Sequence, residues 1–134
     1  MTIFGEIVSR LKLHALCVGY LHSTPEKSKL TRLDMEKDRI ERGRDPQVEL
    51  PDIEFAAHLI DAMNKIGPVR GSMSGPVPTD WDVILPFGEA TQRLTEPWEY
   101  EALSEMCVQY HRGLTKGKDP LCKPPMEWEK PFED

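Results

Sequence analysis

Between Thr79 and Pro120 the chain opens a helix twice in much the same way, and that repetition narrows its possible folds more than any other feature. Thr79-Asp80-Trp81-Asp82 heads one candidate helix, and Thr95-Glu96-Pro97-Trp98-Glu99 heads another. A threonine hydroxyl accepts an N–H group that the first helical turn leaves unpaired, and carboxylates suit the positive helix end. Thr79 and Asp82 also have capping-box spacing, with Asp in place of the usual Glu or Gln. In the second helix Trp98, Leu103, Met106, Cys107, Tyr110 and Leu114 recur mostly at three- and four-residue steps, which marks one apolar face. Both stripes must be covered, so helix-on-helix packing is expected.

The same periodicity places three helices upstream. Over residues 2–21, Ile3, Ile7, Leu11, Ala15 and Val18 recur at helical steps, flanked by Phe4, Val8 and Leu16. Gly5 and Gly19 weaken the ends of this helix by about 1 kcal/mol each relative to alanine. Ser23-Thr24-Pro25-Glu26 is read as the start of a polar helix over 25–42, with Pro25 in its first turn and its many charges forming a solvated face. A third helix spans 52–66, with Ile53, Ala56, Leu59, Ile60 and Met63 on one face and a stop at Gly67-Pro68. His58 lies among those apolar residues and is expected to be a hydrogen-bonded core or boundary side chain.

Residues 67–79 hold three Gly and three Pro and form a linker or an ordered crossing loop. The central pair then covers 80–92 and 97–115, with Trp81, Ile84, Leu85 and Phe87 anchoring the first and Pro86 expected to kink or break it. Trp81 and Trp98 should be largely buried where these two helices meet. The expected fold is thus all-α, a small bundle of about five helices with an extended Pro-rich tail. Its parts are an N-terminal helical region (1–66), a Gly/Pro linker (67–79), a central helix pair (80–120) and the tail (121–134), pinned by Trp128 or Phe132 or else loose. Gly43-Arg44-Asp45-Pro46 with Pro51 echoes Gly117-Lys118-Asp119-Pro120 with Pro125, as either a duplicated helix-and-exit unit or coincidence would produce.

Composition limits the function. No apolar run approaches the roughly 18 residues of a membrane span, and Glu6, Arg10, Lys12 and His14 interrupt the N-terminal apolar stretches, which argues against an export signal. The net charge of −6 lies wholly in residues 71–134, which argues against nucleic-acid binding and suits a basic partner or simple solubility. Three cysteines, Cys17, Cys107 and Cys122, form no CxxC pair and fit reduced thiols in a cytoplasm. Cys107 and His111 could share a helix face, but that is only half of a metal site. There is no G-x-S-x-G elbow and no HExxH, so no enzyme, metal or cofactor is expected, and the aromatic residues suit contact with other proteins.

The order Gly67-Pro68, Asp80-Trp81-x-x-Ile84, Pro97-Trp98-Glu99, Leu103-x-x-Met106-x-x-x-Tyr110, Asp119-Pro120 and Pro124-Pro125 resembles small proteins from tail gene clusters of long-tailed phages and prophages. These are the tail assembly chaperones, and the resemblance covers roughly residues 66–126. It implies a non-enzymatic helper in the host cytoplasm that binds the tape measure protein and tail-tube subunits. Trp81, Trp98, Met106 and Tyr110 would then cover apolar partner surface. Ile3, Phe4, Ile7, Val8 and Leu11 would form a second patch, self-paired in a homo-oligomer or set against a partner helix, unless the first helix simply completes the core. A second reading is a small phage or prophage protein that binds and inhibits a host factor, and a third is a minor structural component or an uncharacterised enzyme.

Overall fold

The computed structural model describes residues 3–53 and 56–128 of the chain. The side chains of Ile3 and Phe4, and Phe132 in the tail, lie outside the described part. Among the described residues the fold is an all-α bundle: α1 (Ile3–His22), α2 (Arg32–Glu41), α3 (Ala57–Ile66), α4 (Trp81–Thr91) and α5 (Pro97–Lys116). A two-stranded hairpin joins α3 to α4, with Val69 opposite Pro78 and Arg70 opposite Val77 in antiparallel register. The Gly/Pro segment is therefore an ordered crossing, tied to α5 by the His111 ring at 2.9 Å from Pro76 O.

The centre of the bundle is α1 against α5; α4 packs on α5 as expected, but at the margin and not as the central pair. Glycines explain the arrangement. A Cβ at Gly19 would stand 2.0 Å from Tyr110 O, and one at Gly113 would stand 2.2 Å from Leu16 O. Further along, a Cβ at Gly117 would meet Ser23 Oγ at 1.9 Å, so the two helices advance in the same sense. Backbone touches backbone here because no side chain intervenes. One side of α1 (Leu11, Ala15) joins Leu59, Met63, Ile84, Leu103 and Met106 in the main core. Its other side (Cys17, Tyr20, Leu21) packs with Val48, Leu33, Cys122 and Trp128. A helix buried on two sides needs a broad apolar stripe, and this one has it.

Several helix starts differ from the local reading. Thr31, not Thr24, caps α2: its hydroxyl accepts from Asp34 N while the Asp34 carboxylate accepts from Thr31 N. The residues before it are pulled away from helix by Glu26 N donating to Lys118 O at 2.9 Å, and Lys27 takes a left-handed φ of 68°. Thr79 does not cap α4. Its N–H and hydroxyl both close the hairpin onto Pro68 O and Gly67 O, leaving Asp80 as the N-cap. Glu96 rather than Thr95 caps α5, in a reciprocal box with Glu99 and with Pro97 at the first helical position.

Helix α4 runs unbroken through Pro86. Pro86 and Asp82, whose carbonyl loses its donor, are both exposed, so water can supply the missing bond. The tail turns through a short 3-10 helix at Pro125–Glu127, and Trp128 pins it edge-on against Tyr20. Finally, the two echoed exits differ in backbone, with Gly43 at φ 78° and Gly117 in ordinary helical geometry at φ −66°.

Candidate functional site

Gly88 is the starting point of a recess between α4 and α5. A Cβ there would stand 2.5 Å from Tyr100 Cε1 and 2.6 Å from its hydroxyl, so the notch at Gly88 is where the Tyr100 ring lies against α4. The Tyr100 hydroxyl also reaches Leu94 O at 3.4 Å. One helical turn apart on α4, Trp81 and Leu85 form the facing wall, and Thr95, Pro97 and Glu101 complete a groove of about 310 Å³. Trp81 is 41% exposed and Leu85 46%. Two large apolar side chains thus line an open groove instead of filling the core. A second recess runs along Val108, His111, Arg112, Thr115 and Lys116, all on α5 among the described residues.

The expected binding residues separate into three groups. Trp81 lines the groove, which corrects the expectation that it is buried between the central helices. Trp98, its supposed counterpart, packs partly buried against the main core, with Nε1 donating to Glu96 Oε2 at 2.8 Å. Leu11, Met106 and Tyr110 are core residues, the first two fully buried, and so are removed from any surface offered to a partner. The Tyr110 hydroxyl lies 2.6 Å from His22 Nδ1. Ile7 and Val8 are partly buried against the same core, so α1 completes the bundle on that side too. Ile3 and Phe4 lie outside the side chains described.

Tyr100, Pro97 and Leu85 are groove residues that periodicity did not single out as binding positions. The available signal was Gly88: a glycine inside a helix, seven residues after Trp81, implies that something approaches closely there.

Beside the groove, Glu99 anchors the start of α5. Its Oε1 accepts from Thr95 N (3.1 Å), Thr95 Oγ1 (2.9 Å) and Glu96 N (3.0 Å), and its Oε2 lies 2.5 Å from His58 Nε2. Burial pushes its pKa up, but the bonds from Glu96, His58 and Thr95 outweigh that and hold it at about 2. A carboxylate so fully engaged cannot also act as a general base, and His58 here has the hydrogen-bonded boundary role its position suggested. Burial raises the Cys17 thiol to about 11 and the Cys107 thiol to about 12, so both remain protonated at neutral pH. Among the described residues no three His, Cys, Asp or Glu side chains gather as a metal site, and no helix is long and apolar enough to cross a membrane.

The electrostatics are local. Residues 80–105 carry seven acidic side chains and one basic one, Arg93, a net of −6 equal to that of the whole chain. Asp80 pairs with Arg70 at 3.4 Å, and Arg93 is turned to Asp61 of α3. Asp82, Glu89, Glu96, Glu101 and Glu105 are exposed and form no ion pair among the described residues. The groove therefore sits in a strongly acidic segment, and the charges of the rest of the chain sum to zero.

Compared with protein-family models, with curated proteins and with solved structures, the chain matches none.

Proposed function

We propose that this chain is a non-enzymatic protein-binding helper of phage tail assembly. Its groove between α4 and α5 holds the tape measure protein or tail-tube subunits before they polymerise in the host cytoplasm. The observation that carries this reading is the exposed Trp81–Leu85 pair facing Tyr100, since such apolar surface suits capture of another chain. The groove also falls within the segment that resembles tail assembly chaperones, and Trp81 and Pro97 belong to both. Co-expression with the tape measure and tail-tube proteins of the same gene cluster tests it. A soluble complex that is lost on Trp81→Glu supports the reading. A tape measure protein that stays equally insoluble with and without the chain removes it.

A second reading is inhibition of a host protein. The five exposed carboxylates around the groove favour it, because they resemble a run of phosphates to a basic surface. Affinity capture from host lysate, with the Trp81→Glu variant as control, separates the two.

A further inference from the structure

The groove and its charge specify a partner chemistry more narrowly than protein binding alone. A groove of about 310 Å³ is at the small end of ligand sites, which run from about 300 to 1,000 Å³, so it has room for one or two side chains of a partner. Its walls are the Trp81 and Tyr100 rings with Leu85 and Pro97, which suit an aliphatic or aromatic anchor. Glu101 lines the groove itself, Asp82, Glu89 and Glu105 are exposed on the same two helices, and Glu96 is exposed at the N-cap of α5. Arg93, the one basic residue of segment 80–105, is turned to Asp61, and Arg70 pairs with Asp80.

We propose that the groove takes a short basic segment of another protein, with one apolar side chain seated between Trp81, Leu85 and Tyr100 and flanking lysines or arginines facing Glu101 and its neighbours. The proposal deepens the protein-binding reading above and rests on it. Charge decides among occupants. A second copy would bring an identical acidic segment against this one, and nucleic acid would bring phosphates; both are repelled. A basic segment gains attraction over several ångströms, and its cations can also lie on the Trp81 ring. An acidic segment with the same anchor would fill the same space and be rejected.

The test uses the full chain, isotope-labelled, titrated with a synthetic Lys/Leu amphipathic peptide and with the Glu/Leu peptide of equal length. The Lys/Leu peptide is expected to shift the Trp81 indole and Tyr100 resonances with saturation, and to bind more weakly as salt rises. Trp81→Ala should weaken it by about tenfold or more, as truncating a central aromatic anchor does. Glu101→Lys should weaken it by about threefold or more. Leu85→Glu serves as the second groove variant and Leu121→Ala as the remote control, with melting curves showing that each is folded. Equal binding of the Glu/Leu peptide overturns the proposal. So does a Lys/Leu interaction untouched by Trp81→Ala and Leu85→Glu, which would be diffuse charge attraction, or no interaction at all. Failure of tail proteins to co-purify while the Lys/Leu peptide binds the groove ends the assembly reading and leaves this one standing. The reverse pattern ends only this one.

Discussion

Glu99 is a carboxylate that burial alone would push towards the neutral form, yet it stays charged because Thr95, Glu96 and His58 all engage it. Its folded value of about 2 lies below the ordinary 4.5, so its stabilisation is complete above the ordinary value and is lost as pH falls from there through about 2. The shift corresponds to about 3 kcal/mol. Glu99→Gln should therefore cost about that much at neutral pH, and the gap to the parent should close by about pH 2. Urea unfolding at both pH values measures it; a gap that does not change with pH would assign the effect to shape rather than charge. Gly88 poses a different balance. Alanine would improve the helix by about 1 kcal/mol, but its Cβ would collide with the end of the Tyr100 side chain. Because that ring can swing towards solvent, Gly88→Ala should change stability by less than about 1 kcal/mol while displacing Tyr100. Unmoved Tyr100 ring signals in an NMR spectrum would count against this account of the groove.

Among the helices, the crossing of α1 and α5 is the contact on which the others depend. Here the Cβ of an introduced alanine would meet main-chain atoms, Tyr110 O at Gly19 and Leu16 O at Gly113, and main chain cannot swing aside. The overpacking cost of about 1–3 kcal/mol, occasionally more, therefore outweighs the helix gain of about 1 kcal/mol. Gly19→Ala and Gly113→Ala should each destabilise by about 2 kcal/mol, and the double variant by less than their sum, because one separation of the helices relieves both clashes. Thermal melts of the three variants check this, and additive losses would mean two independent sites. Helix α2 shows the other kind of control. Thr24 and Thr31 are both acceptable caps by local rules, and the bond from Glu26 N to the exit of α5 at Lys118 O decides between them.

For the molecule as a whole, the apolar residues divide between stability and surface. Met106 is fully buried, so Met106→Ala should cost about 2–5 kcal/mol. Trp81→Ala should cost under about 1 kcal/mol, because the residue is 41% exposed. Paired melting curves decide it, and a Trp81 loss as large as the Met106 loss would return Trp81 to the core. The C-terminal segment is held by Trp128, whose ring has Lys116 Nζ 4.5 Å from its centroid and Arg112 on it at 5.8 Å. Its Nε1 donates to Lys123 O at 2.8 Å. Trp128→Ala should remove the cover from the smaller core cluster and cost about 2 kcal/mol, with faster amide exchange near Cys17 and Leu21 as the local sign.

The all-α class, the five helices, the stop of α3 and the start of α5 were legible in the sequence, because apolar periodicity, Gly67 and Pro97 act through bonds within a few residues, whereas α3 begins at Ala57 and not near Asp52 as expected. The candidate site was only half legible. Trp81 stood out, but Trp81, Met106 and Tyr110 look alike to a rule that sees an apolar residue on a helical stripe. Which stripe is covered depends on which helix reaches it, and that was settled by Gly19 and Gly113 meeting across 94 positions of chain. The four-residue spacing of Ala15, Gly19 and Ser23 along α1 and just past its end, and of Gly113 and Gly117 at the end of α5, was the available sign of that contact. Read locally, a glycine is only a weak helix former; its value in letting two backbones touch exists only once the second helix is there. By drawing α1 and α5 together, the tertiary structure buried Leu11 and Met106, left α4 at the margin with Trp81 and Leu85 exposed, and so made a groove that no single segment encodes.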